Sequence, residues 1–336
     1  MRDSTARRID LFIGNYRGIK RKFFWQPTIL KRLIAMIYAV NDRTMNDAAI
    51  RESMRMVKKY TSPFSYFRGY MILAVSAMLS LEKDQKNILE KALKVYEMMK
   101  SEKFWASPFL VIAACQIAIE SGEEDIAAIV TRARAFYKGM RSRHFLITGS
   151  RDYITVALLA ISGIDVQSGL LRLEQMHKAI KPKVRYSHGS QAIAQVLLMG
   201  NGNEGNTERV LSLRDAFRQR KLRLDRDYAY PLLGLLALLG ADADTLADEV
   251  IEAFKYMRKQ KGFGAWSVNK LEVILLASAF VAMSHITVEG GNAVISAVSN
   301  GVAAMVINQF IALIIMMTTT AVTSSTAAAS AAGAGS

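Results

Sequence analysis

Residues 109–144 read FLVIAACQIAIESGEEDIAAIVTRARAFYKGMRSRH, and their reading decides the fold. The first part is an apolar run of about one helix length. A tight polar turn near Glu124 follows, of the residue types that cap a helix by accepting bonds from free backbone N–H groups. The rest is a longer, more charged helix whose apolar face carries Phe136. Neither half can bury its apolar surface alone, so such a pair must stack on neighbours.

Neighbours of the same kind lie on both sides. Apolar runs begin at Tyr70, Phe109, Tyr153, Ala192, Leu232 and Leu271, spaced by 39, 44, 39, 40 and 39 residues. Five residues into each stand Ala74, Ala113, Ala157, Val196, Leu236 and Leu275. The first five runs end near Asp84, Glu124, Asp165, Asn206 and Asp244, and the charged helices that follow carry Tyr96, Phe136, Met176, Phe217 and Phe254. Leu89, Leu93, Tyr96 and Met99 recur at the three- and four-residue intervals of a buried helical stripe, and two-residue strand alternation is absent. Pro231 fits the first turn of a helix beginning near Arg226.

The expected fold is all-α: stacked helical hairpins of about 40 residues each, solenoid-like, with helical caps at both ends. Residues 1–60 form a basic N-terminal cap with helices near 5–22, 28–40 and 46–58. Residues 61–289 hold five hairpin repeats and a sixth first helix. An apolar closing helix follows over 290–322, then a disordered Ala, Ser and Thr tail over 323–336.

The 51% apolar content, with 5 Pro and 1 Cys, excludes a disordered chain, a disulfide framework and a collagen-like fibre, and 22% charge argues against a polytopic membrane protein. Lone Cys115 inside an apolar run reads as a core residue. The start, Met1 to Arg8, lacks the apolar core of a signal peptide, so a cytoplasmic location is expected, with membrane association as the alternative.

The net charge of +15 is uneven, because residues 1–60 hold 14 basic and 5 acidic side chains and nothing after Glu289 is charged. Within the repeats, cations gather where the second helices end. A candidate anion-binding edge comprises Lys138, Arg141 and Arg143; Lys181, Lys183 and Arg185; Arg220, Lys221 and Arg223; and Arg258, Lys259 and Lys261. With Lys100 and Lys103 these make five clusters, followed in turn by Trp105, Phe145, Tyr186, Tyr228 and Trp266. Two explanations compete. Cations in a last helical turn oppose the helix dipole, by about 0.3–1 kcal/mol each, with the aromatics anchoring loops in the core; or the edge is a track for phosphates or an acidic surface, with aromatics free to stack.

Enzyme motifs fail on context. Gly200, Gly202 and Gly205 match a dinucleotide-binding spacing but follow a helix rather than a strand, so they read as an inter-helix turn. Ser267 reads as a helix N-cap, with Lys270 solvated one turn on. His144, His177, His188 and His285 lack the spacing of a zinc helix, although His144 and His188 could meet across adjacent loops. No catalytic residue, cofactor or metal site is assigned.

Residues 302–322, bounded by Val302 and Val322, are uncharged and about as long as a bilayer-spanning helix. Asn308 and Gln309 near the centre favour instead a helix that closes the stack or pairs with a second subunit. The expected function is a non-enzymatic binding scaffold for an acidic or anionic partner, a protein or other acidic macromolecule ahead of nucleic acid. A membrane-associated protein held by the C-terminal helix is the alternative, and an enzyme with a site in the concave surface is the third reading.

Residues 63–79, PFSYFRGYMILAVSAML, resemble the equivalent segment of an uncharacterised bacterial α-helical family, domain of unknown function four thousand and three. The order of segments is similar over most of the chain. The resemblance implies an α-helical protein of unestablished role and supplies no catalytic residue.

Overall fold

The computed structural model describes residues 1–184, 187–224 and 229–288. Among these residues there are fourteen α-helices and no strand, as the all-α expectation requires. They are α1 (Asp3–Lys22), α2 (Thr28–Val40), α3 (Asp47–Tyr60), α4 (Met71–Leu79), α5 (Gln85–Ser101), α6 (Pro108–Glu120) and α7 (Ile126–Arg143). Then follow α8 (Tyr153–Ile161), α9 (Val166–Ile180), α10 (Ser187–Met199), α11 (Glu204–Gln219), α12 (Tyr230–Ala237), α13 (Ala243–Lys259) and α14 (Lys270–Val288). The closing helix and tail expected over 290–336 lie outside the described residues.

Odd and even helices differ as their compositions demand. Every residue of α4 and α12 is buried, whereas α5 buries only the stripe Leu89, Ala92, Val95, Tyr96 and Met99. An all-round apolar helix is stable only with neighbours on every side, and a one-sided stripe suits a helix that faces solvent. Accordingly each even helix packs on the next even one from α2 to α14, and the odd helices from α3 to α13 pack on one another outside them. Then α1 packs on α13 and α14, and the Arg32 guanidinium of α2 makes a paired, buried hydrogen bond to the Glu272 carboxylate of α14. Thr5 bonds Ser284 at 2.9 Å and Asp10 accepts from Tyr256 at 2.8 Å across the same junction. The first helices thus meet the last ones, and each odd helix packs most closely on the even helix after it, from α1 on α2 and α3 on α4 to α13 on α14, rather than on the apolar helix before it as the expected hairpins had it.

The even helices run parallel: Tyr38 meets Ser80 at the ends of α2 and α4, while near the starts Trp105 meets Tyr153 for α6 and α8, Asp152 meets Gln191 for α8 and α10, and Arg32 meets Glu272 for α2 and α14. A side chain at Gly189, near the start of α10, would strike the Tyr230 ring at the start of α12, and one at Gly200 would strike Leu238 at the other end. Hence every link from an odd helix to the following even one emerges at one end of the molecule, and the short turns from even to odd helices at the other.

At the short-turn end Asp84, Asp165, Asn203 and Asp242 cap odd helices through their side chains. Three expected positions shift. Asn206 is the reciprocal partner of Asn203 rather than the cap, Asp242 replaces Asp244, and α7 starts after Asp125 with no side-chain cap. The even helices terminate on carbonyls that need donors, and a cation from the preceding odd helix supplies them: Arg8 to Ala39 and Val40, Lys91 to Ser121, Arg132 to Ala160, Arg172 to Gly202, and Arg209 to Ala237, Leu239 and Ala241. Positive charge at a helix C-terminus also opposes its dipole. Two expected helix starts move too: Asn269, not Ser267, caps α14, and α12 begins at Tyr230, with Pro231 in its first turn. The turn holding Gly200 and Gly202 separates α10 from α11.

Candidate anion-binding end

Helix C-termini build the long-link end. After α5 and α11 the backbone turns through a left-handed residue, Lys103 (φ 62°) or Lys221 (φ 57°). Phe104 then donates its N–H to the Met99 carbonyl and Leu222 to that of Phe217, and both side chains are buried. This closure satisfies orphan carbonyls and drives one apolar residue inward. Phe23, Phe67 and Phe263 are the buried anchors of three other links, and Phe263 packs edge-on to Phe12 and Tyr16 of α1.

With the links already anchored, further aromatics stand in solvent. Phe24, Trp25, Tyr60, Phe64, Tyr66, Trp105, Phe145, Leu146 and Trp266 are exposed, and all lie in or beside these links. Phe64 is 97% exposed, Trp105 81% and Trp266 fully; Leu171 is the one large exposed hydrophobic elsewhere among the described residues. The described aromatics that follow the basic clusters, Trp105, Phe145 and Trp266, therefore do not anchor their loops, and Tyr186 and Tyr228 lie outside the described residues.

The candidate cations divide into two sets. Arg258 clamps its own link by donating to the carbonyls of Phe263, Gly264 and Val268 at 2.7–3.0 Å. Arg141 donates to the Thr148 carbonyl at 2.9 Å and Arg143 to that of Gly139 at 3.1 Å. Arg220 is held by Asp248 and Asp244, whose hydrogen bonds raise its pKa. In contrast Lys138, Lys181, Lys183, Lys221, Arg223, Lys259 and Lys261 are exposed and make no ion pair among the described residues; Arg185 lies outside them. Links also contact neighbouring helices: Arg214 of α11 donates to the Lys183 carbonyl at 2.6 Å and Lys270, at the start of α14, to that of Lys221 at 3.5 Å.

The opposite end is the electrostatic inverse. Its turns carry Asp42, Glu82, Asp84, Glu123, Glu124, Asp125, Asp165 and Asp242 against Arg43 and Lys83, and no large exposed hydrophobic.

A buried polar cluster lies where α7, α9 and α10 meet. His144 bonds Glu174 at 2.6 Å and stacks on His177 with ring centroids 4.5 Å apart, so His144 meets His177 rather than His188. His177 Nδ1 lies 3.1 Å from Ser190 Oγ, and burial, then the charge of His144, pushes its pKa down to about 4. Burial raises the Glu174 carboxyl, but hydrogen bonds from His144 and Lys178 outweigh it and leave the pKa lowered. Asp152 accepts from Gln195 at 2.7 Å, Gln191 at 3.2 Å and the Gly149 N–H at 2.9 Å, and burial raises its pKa against those donors. Ser190 and His177 resemble half of a nucleophile pair, but both are buried, and no third group orients the His177 ring through its Nε2. The cluster holds three helices in register.

The family described as protein of unknown function (DUF4003) matches residues 15–319. The chain belongs to that family. No curated protein and no solved structure matches it.

In this DUF4003 protein, sequence reading found the basic clusters but missed what distinguishes their members. Phe24, Trp25, Phe64 and Tyr66 went unnoticed because the N-terminal segment was set apart from the repeats, although the same cation-then-aromatic order recurs there in Lys20–Lys22 and Lys58–Lys59. Among the described residues, no group of three or more His, Cys, Asp or Glu could hold a metal ion, and no helix is long and apolar enough to cross a membrane; residues 302–322 are not among them.

Proposed function

We propose that this protein is a non-enzymatic scaffold of repeated helical pairs, closed on itself by α1 and α14, that binds an anionic partner through its long-link end. The observation that carries this reading is segregation. Most exposed cations without an ion pair among the described residues, and nearly all large exposed hydrophobics, lie on the long links or the helix ends beside them, while the short turns carry mostly acids. Dipole compensation of the odd helices favours these signs, but the even helices present their opposite termini at each end and offset it. It does not account for the solvent-exposed aromatics, each of which forgoes about 1.5–3 kcal/mol available from burial. A cytoplasmic scaffold recruited to an acidic surface is the setting this reading implies.

The test replaces Lys181, Lys183, Lys221, Arg223, Lys259 and Lys261 by Gln and compares both proteins for binding to heparin and to labelled single-stranded RNA. The unmodified protein should bind with a steep loss on adding salt, and the variant should lose roughly tenfold or more at low salt. Equal binding by the two would show that this end is not the interface.

A further inference from the structure

We infer that the long-link end docks on an anionic lipid bilayer, its exposed aromatics entering the interface and a cleft beside Trp25 receiving a lipid phosphate. This rests on the binding reading above and names the partner.

Three observations favour a membrane over a nucleic acid. First, the exposed groups come from five separate links, those before α2, α4, α6, α8 and α14; a broad partner can meet them together, whereas a single strand follows one groove. Second, Leu146 is as exposed as its neighbour Phe145. An aliphatic side chain adds nothing to base stacking and gains free energy at the acyl boundary, where Trp and Tyr also concentrate. Third, a cleft of about 310 Å³ lies beside α3, lined by Trp25, Arg51, Arg55 and Lys58 together with Met54 and Ile72, and no carboxylate lines it. The Arg51 guanidinium sits 4.7 Å from the Phe23 ring and 5.6 Å from that of Trp25, donates to the Lys22 carbonyl at 2.7 Å and forms a long ion pair with Asp47 at 3.9 Å, leaving Arg55 and Lys58 as the cleft's cations without an ion pair among the described residues. An arginine held over aromatic faces at a surface rich in lysine suits a lipid phosphate next to the hydrocarbon edge.

The chain supplies its own probe, because all three tryptophans, Trp25, Trp105 and Trp266, stand exposed at this end. The experiment titrates the full chain with vesicles of phosphatidylcholine alone and of phosphatidylcholine with phosphatidylglycerol, reading sedimentation and tryptophan emission. Expected are salt-sensitive binding to the anionic vesicles only, with a blue shift, and a loss of roughly tenfold or more in Phe64→Ser/Phe145→Ser with Leu146→Ser, whose tryptophans remain to report. Arg55→Ala with Lys58→Ala should weaken binding about fivefold or more; unchanged binding would remove the cleft from the proposal. Circular dichroism establishes that each variant is folded.

Vesicle binding without a blue shift, or undiminished in the Phe64, Phe145 and Leu146 variant, overturns the docking mode. It would then point to the C-terminal segment, which has no tryptophan. Failure to bind anionic vesicles, with RNA or heparin still bound through the lysines, overturns the lipid assignment and leaves the anionic-partner reading standing. Binding to none of these polyanions overturns both.

Discussion

His177 shows what burial does to a titratable group in this fold. Enclosed by the His144 ring, Ser190, Glu174, Lys178 and Lys181, it has a folded pKa of about 4 against an ordinary 6.5. Between those values the unfolded chain takes up a proton that the folded chain refuses, so stability falls as pH drops through that window. The full effect is on the order of 3 kcal/mol. Urea denaturation of the unmodified protein and of His177→Gln, each at about pH 7 and about pH 5, should show a shallower loss of stability in the variant. Equal losses would mean that His177 is protonated in the folded state. Cys115 is the apolar counterpart: burial alone pushes its thiol up to about 12, and it is a core residue, as its place in an unbroken apolar run suggests.

The recurring device at the level of the helix is the cation that caps its neighbour. Lys91, Arg132, Arg172 and Arg209 occupy similar positions in α5, α7, α9 and α11, and each reaches the carboxyl end of the following apolar helix. An apolar helix has no side chains of its own to satisfy its last carbonyls, so the donor must come from outside it. Arg209→Met, which keeps the stem and removes the donors to three carbonyls, should cost about 2 kcal/mol in chemical denaturation. A cost within about 0.5 kcal/mol would mean that water satisfies those carbonyls equally well. In the sequence these residues are four cations among others on the charged helices. Their spacing of about forty residues was visible, but their partners are some thirty residues away and identifiable only once the helices are packed.

At the scale of the molecule, the junction of the first and last helices is the decisive feature. Arg32 and Glu272 are both nearly buried and joined by two hydrogen bonds. Removing one partner leaves a buried charge unpaired, so Glu272→Ala should cost about 3–5 kcal/mol. The double replacement Arg32→Met with Glu272→Met should recover most of that loss. Equilibrium unfolding of the unmodified protein, Arg32→Met, Glu272→Met and the double variant, compared as a double-mutant cycle, tests this. A coupling near zero would show that the pair does not hold α2 to α14.

The sequence by itself determined that the chain is helical, where most helices lie, and that cations collect where the charged helices end. These depend on residues close along the chain: three- and four-residue periodicity, caps, and apolar runs that recur about every forty residues. Only the tertiary structure decided that α1 returns to α13 and α14, that Arg258 and Arg141 clamp their links while Lys181, Lys221 and Lys261 make no ion pair among the described residues, and that Trp105, Phe145 and Trp266 face solvent. The first outcome depends on side chains that become neighbours across more than two hundred residues of chain, and the others on how each link folds back over the end of its own helix. Helical periodicity specifies which face of each helix is buried, but not which other helix covers it.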